Sequence, residues 1–191
     1  DLECSLLRKQ TGFLYFCEKF SIMDQLNREL RDQAIALGLC GDWQDLWNRN
    51  WSKEKMIERM FRGLDFCLKH HYPSNDFIIK HFDRVLLRKN FVFVNDKFST
   101  MNPKESLILG TSDITMRYNC WNHGYIHIRD NSSVKLVAKN RSFVIAHLYE
   151  NASIEAEQYD KAKIVLVKHS DKVTITAEDN IKIREEYDYL K

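Results

Sequence analysis

The groups in this chain whose types and spacing point to chemistry are histidines, one cysteine and a set of basic residues. His127 and His147 stand twenty residues apart. If one repeat carries both, they lie on the same face of neighbouring layers, as a proton-sensitive or metal-touching surface pair. Chance placement on a polar surface is the plainer reading. Cys67, His70 and His71 fall within one helical turn, a spacing compatible with metal ligands. No second Cys/His pair at a standard spacing completes a set of four, so no metal site is assigned. Lys80, Arg84 and Arg88 recur at i, i+4 and i+8 with Lys89 adjacent, a basic stripe that could touch phosphate. Asp76 and Asp83 dilute it, and a solvated helix face explains it as well. Trp43, Trp47 and Trp51 recur every four residues. They would serve either as a stacking platform or, more simply, as anchors of a small helical core. The chain has no phosphate-binding glycine loop, no HExxH and no G-x-S-x-G. We assign no catalytic residue and no cofactor, and expect no enzyme activity.

Composition bounds what these groups serve. The 191 residues carry 29 Lys+Arg against 27 Asp+Glu, so the chain does not advertise itself as a polycation. Hydrophobic residues make up 44%, with two prolines and six glycines, which argues for a folded globule. Five scattered cysteines suit free thiols in a reducing compartment better than a disulfide framework. No run reaches the ~18 apolar residues of a membrane-spanning helix, and a cytoplasmic location is expected. Met23 followed at once by an amphipathic pattern reads like a translation start. Residues 1–22 are therefore expected to be an upstream extension, not native to the fold.

The elements that must position these side chains differ between the two halves. Leu26, Leu30, Ala34 and Leu37 line one helical face, ended by Gly38. "GDWQDLWNRNW" predicts a short tryptophan helix. Ser52 caps a third helix that runs to His70 and His71. Ser74 caps a fourth, "NDFIIKHFDRVLLRKN", with Phe77, Ile78, Phe82 and Leu86 inward.

After Asn90 the period changes. "DNSSVKLVAK", "NRSFVIAHLY", "ENASIEAEQY" and "DKAKIVLVKH" stack as lines of ten. The second place holds Ser132, Ser142, Ala152 and Ala162; the fourth holds Val134, Val144, Ile154 and Ile164; the sixth holds Leu136, Ala146, Ala156 and Leu166. The register slips by one where Val173 and Ile175 take over, and Ile181 and Ile183 close with a shortened turn. Hairpin turns would want glycine, yet residues 131–177 contain none. Two lines therefore make one coil of about twenty residues, and coils stack at ~4.8 Å. Asp130, Asn140, Asn151, Asp160 and Asp171 are expected at the bends. The helical half is expected to cover one end, and the tail "REEYDYLK" to shield the other.

These repeats, with "LCGDWQDLWN", "RGLDFCLKHHYPSNDFIIKHF" and "YIHIRDNSSVKLV", resemble an uncharacterised family of small gut-bacterial and phage-associated proteins. Its members join a helical N-terminal part to a C-terminal ten-residue-repeat β-solenoid. The resemblance covers roughly residues 23–185 and implies that two-part architecture and a phage or mobile-element setting. It supplies no activity and no site residue.

The expected fold is thus α+β: a helical domain of about four helices over 23–98, then a short parallel β-solenoid over 99–191. The expected function is a non-catalytic interaction or scaffold protein, binding a protein partner (itself or another) through the solenoid face. The alternative is nucleic-acid binding through Lys80, Arg84, Arg88 and Lys89.

Overall fold

Six helical segments and eleven strands are formed among the described residues of the computed structural model, which are 23–47 and 50–187. The chain divides into two compact units, Asp1–Pro73 and Ser74–Lys191. The expectation for residues 1–22 falls outside the described residues.

In the first unit, α1 covers residues 23–36 and buries Leu26, Leu30 and Ala34 as the spacing predicts. Leu37 lies beyond the helix and is 39% exposed, because Gly38 turns the chain at φ +89°. The tryptophan helix α2 is brief, Gly41–Asp45, so only Trp43 of the three is on it. Trp47 and Trp51 meet by ring contact at 5.0 Å, and Trp51 is buried with Arg59 over its face. This is the anchoring role rather than an open platform. The long third helix is in fact two, α3 (Lys53–Arg62) and α4 (Leu64–His70). Ser52 Oγ accepts the Lys55 N–H at 3.2 Å, as its cap position requires. Gly63 leaves helical geometry at φ −107°, ψ 34° and splits the pattern without breaking its apolar face. Asn27 donates to the Trp51 carbonyl at 3.0 Å and the Tyr72 hydroxyl to the Leu30 carbonyl at 2.7 Å, tying α1 to the rest of the unit.

The second unit opens with α5 (Asn75–His81) and α6 (Arg84–Lys89). One fourth helix was the expectation. Phe82 is instead extended, and the Asp83 carboxylate accepts the N–H groups of Val85 and Leu86 at 2.8 and 3.1 Å, starting a new helix. These two splits turn about four helices into six. Both α5 and α6 pack on the first strand, β1, so helices do lie against the first coil.

Eleven strands follow: β1 (Val92–Val94), β2 (Lys97–Met101), β3 (Glu105–Leu109), β4 (Asp113–Tyr118), β5 (His123–Ile128), β6 (Ser133–Ala138), β7 (Phe143–Leu148), β8 (Ser153–Gln158), β9 (Lys163–Lys168), β10 (Thr174–Ala177) and β11 (Lys182–Glu185). β1 and the start of β2 lie ahead of residue 99, where the repeat is expected to begin from the sequence. Strands alternate between two sheets, β1-β3-β5-β7-β9-β11 and β2-β4-β6-β8-β10, and every pairing is parallel. This is a β-solenoid of about four turns. Partners in the middle coils are twenty residues apart, as Tyr125↔Ile145↔Val165 and Ser133↔Ser153 show. The slip of one is real: Ile175 pairs with Ile154. The short last turn is real too, since Ile183 pairs with Leu166. Part of the supposed shielding tail is therefore strand β11; the rest runs into residues 188–191, outside the description.

The repeated places do the work their sizes suggest. Val134, Val144, Ile154 and Ile164 at the fourth place, and Leu136, Ala146, Ala156 and Leu166 at the sixth, form the buried core. Each larger aliphatic contributes roughly 1.5–3 kcal/mol of burial before ordering entropy is subtracted. At the second place, Ser132 Oγ donates to the Gly110 carbonyl (3.1 Å) and Ser142 Oγ to the Lys139 carbonyl (2.9 Å), so small residues there also satisfy the turn's backbone. Asp130, Asn140, Glu150 and Asp160 hold φ between 54° and 63° at the bends. The third of these corrects the expectation of Asn151, whose amide instead donates to Asn131 one coil away at 3.0 Å. Asp171 does not take a positive φ either.

Candidate functional site

The outward side of the β1-containing sheet gathers the histidines. On a strand, alternate side chains leave the core. Leu107, His127, His147 and Val167 are successive register partners in one outward column. His127 and His147 are therefore neighbours, as their spacing predicts. Their rings lie one over the other, nearly parallel, with centroids 5.0 Å apart. Neither is an ordinary surface residue: His127 is only 7% exposed and His147 is half-buried.

A third histidine joins them. His169 lies twenty-two residues beyond His147, two residues past the column's Val167 and just beyond the end of β9, yet its ring centre comes within 5.2 Å of the His147 ring centre at an angle of 8°. His147 Nδ1 and His169 Nε2 are 2.9 Å apart, so these two rings sit edge to edge in a common plane. Tyr149 covers His169, with centroids 4.5 Å apart and planes 6° apart. The four rings form two layers, His127 above His147 and Tyr149 above His169.

Hydrogen-bond chemistry fixes the protons. His169 Nδ1 lies 2.6 Å from the Glu186 carbonyl oxygen, which can only accept. His169 Nδ1 therefore carries hydrogen, its Nε2 accepts, and His147 Nδ1–H is the donor. Burial and the neighbouring rings push His127 down to about 3 and His147 down to about 4; burial also lowers His169. At neutral pH all three are uncharged. His127 Nδ1 has no hydrogen-bond partner among the described residues. The arrangement is a neutral, half-dry imidazole and phenol array. It holds protons in defined places.

The other singled-out residues are not brought together in this way. The stripe Lys80, Arg84, Arg88, Lys89 does not exist as a helical row, because the break at Phe82 and Asp83 separates Lys80 on α5 from the other three on α6. Arg88 is engaged inward: its Nε and Nη2 donate to Asp96 at 2.8 and 2.7 Å, and its guanidinium lies 4.4 Å from the Phe98 ring centre. Those bonds hold the buried Asp96 carboxyl below the usual range. Arg84 approaches Asp96 at 4.0 Å, while Lys80 and Lys89 are exposed. Cys67 is buried with its thiol 3.8 Å from the Met60 carbonyl. The His70 ring lies tilted against Phe66, and His71 sits past the helix end in a left-handed conformation. The three do not share a helical face.

The outward side of the other sheet carries columns of mostly polar side chains, exposed or half-buried. Lys97 pairs with Asp113 at 2.8 Å, and Lys135 with Glu155 and Glu157 at 3.1 and 3.3 Å, each pair spanning neighbouring coils. Comparison with protein-family models, curated proteins and solved structures gives no match. Among the described residues no helix is long and apolar enough to cross a membrane.

Proposed function

We propose that this is a non-catalytic scaffold that binds a protein partner through the outward face of the β2-containing sheet. The observation that carries the reading is the register of that sheet. Over β2, β4, β6, β8 and β10 it holds its columns through parallel partners, so exposed side chains recur on a rigid grid with a coil step of ~4.8 Å. Lys97, Asp113, Lys135 and Glu155 give that grid both signs of charge. A partner of complementary pattern gains orientation from it at little ordering cost. The ring array is read as structural in this proposal. The resemblance to phage-associated proteins sets the proposed context, a cytoplasmic component of a phage or mobile element.

Affinity capture from the native host, followed by mass spectrometry, tests the reading. The charge-reversed pair Lys135→Glu, Glu155→Lys keeps the ion pair but inverts the grid. A partner retained by the wild-type chain and lost by this variant supports the proposal. Equal retention by both, or a strictly monomeric chain by light scattering that captures nothing, overturns it.

A further inference from the structure

The turns that lead from the β2-containing sheet to the β1-containing sheet carry a pattern that the ten-residue core does not require. Three successive turns are Asn119–His123, Lys139–Phe143 and Tyr159–Lys163, each joining strands in register with those of the next coil. Equivalent places therefore form columns. One reads Asn119, Lys139, Tyr159; the next Trp121, Arg141, Lys161; the next His123, Phe143, Lys163. Four cations and four flat rings share this block with one asparagine. The step between turns is the coil step of ~4.8 Å.

The residues are open to solvent. Trp121 is 79% exposed and Tyr159 43%, the former an extreme value for an indole. Lys139, Arg141, Lys161 and Lys163 are all exposed, as is His123. Lys139 lies 4.8 Å from the Tyr159 ring centre, and the Tyr159 hydroxyl donates to Glu157 at 2.9 Å, so that ring is held in place. Glu157 shares Lys135 with Glu155, at 3.3 and 3.1 Å, so one carboxylate charge borders the corner. Inside the three turns, four cations face one carboxylate, Asp160, which accepts the Asn140 N–H at 3.2 Å. These turns carry a surplus of three positive charges, against a formal net charge of +2 for the whole chain.

We propose that this corner binds single-stranded nucleic acid. Phosphates would be matched by Arg141, Lys139, Lys161 and Lys163, and unpaired bases would stack on Trp121 and on the adjoining rings. Lysine and arginine alone would suit any polyanion; interleaved exposed rings favour a polyanion that presents flat faces, which a single strand does and a duplex does not. The site adjoins the grid proposed for a protein partner through Glu157 but takes its phosphate and base contacts from other residues than that grid and α5 and α6 supply, and it stands if either of those readings fails.

Fluorescence anisotropy of a labelled twenty-nucleotide thymidine strand with the full chain tests it. Binding at 50 mM salt should weaken about 50-fold at 200 mM if all four cations meet phosphate. Trp121→Ala should weaken binding about tenfold, the order expected for one stacked base. Arg141→Glu with Lys161→Glu should abolish it, whereas Lys80→Glu with Lys89→Glu should leave it unchanged. These positions are exposed, so circular dichroism and melting should match the wild type. No binding at 50 mM salt overturns the proposal. So does loss of binding only in the Lys80 and Lys89 variant. Equal affinity for a duplex or for heparin, with Trp121→Ala indifferent, overturns the single-strand assignment.

Discussion

Gly124 leaves open the space that the Tyr118 ring fills. It pairs with Val144 at the place where other coils carry a core valine or isoleucine, and a Cβ there would collide with the ring's outer edge. Tyr118 is fully buried, and its hydroxyl has no hydrogen-bond partner among the described residues. Gly124→Val should therefore destabilise the solenoid by roughly 1–3 kcal/mol through overpacking. Tyr118→Phe should be neutral or slightly stabilising, since it removes an unsatisfied group. Urea melts of the two variants check both directions.

Burial alternates along each line, and substitutions should feel it. Ile154 is 3% exposed in the core, whereas Glu155 faces solvent. Ile154→Asp should unfold the repeat half by placing a charge in an apolar interior. Glu155→Lys should change stability by less than about 1 kcal/mol, the worth of an exposed ion pair. Thermal melting distinguishes them.

Acid should weaken the fold earlier than its carboxylates alone would cause. His127 and His147 titrate at about 3 and about 4 when folded, against an ordinary 6.5. The unfolded chain thus binds more protons over that interval, and stability rises with pH through it. The contribution is complete above about pH 6.5 and is lost progressively below it. Glu186, which favours the charged form of His147 and His169, only partly opposes this. His127→Phe keeps a ring in the upper layer and should flatten the difference between urea midpoints at pH 5 and pH 7.5.

The Arg88–Asp96 pair should matter more than a surface ion pair. Asp96 has a side chain 4% exposed and takes two hydrogen bonds from one guanidinium. Asp96→Ala should cost about 2–3 kcal/mol, less than breaking a fully buried pair because Arg88 keeps some contact with water. Arg88→Lys should recover only part of the bond geometry. Denaturant midpoints measure both.

The solenoid was legible because its signal is additive: the fourth and sixth places repeat in four lines, and absent glycine argues against hairpins. Helix number was not, because period alone does not register a break that keeps the same face buried. Gly63 and Asp83 are ordinary residues within a helical pattern until a neighbour shows that the chain bends there. His127 and His147 were found by spacing because they share a column. His169 reads from the sequence as part of a turn cluster with Lys168 and Lys172, not as a member of that pair, because it lies beyond the column's twenty-residue interval and reaches back through its ring. The slip already visible at Val173 marks the region where counting by twenty stops identifying neighbours. The exposed corner went unnoticed for another reason: columns of turn residues have meaning only after the turns are stacked.

Between Asp113 and Ser153 the paired positions advance by twenty with no drift, whereas the ends depart from that interval, Lys97 pairing with Asp113, Thr174 with Ser153 and Lys182 with Val165. The interior is therefore modular. Adding or removing one full repeat would lengthen or shorten the rod by a single rung while leaving both terminal fittings untouched. Adding or removing half a repeat would exchange the two sides of the molecule for everything downstream. Duplication in whole rungs is thus the route by which such a chain changes reach without relearning how to fold.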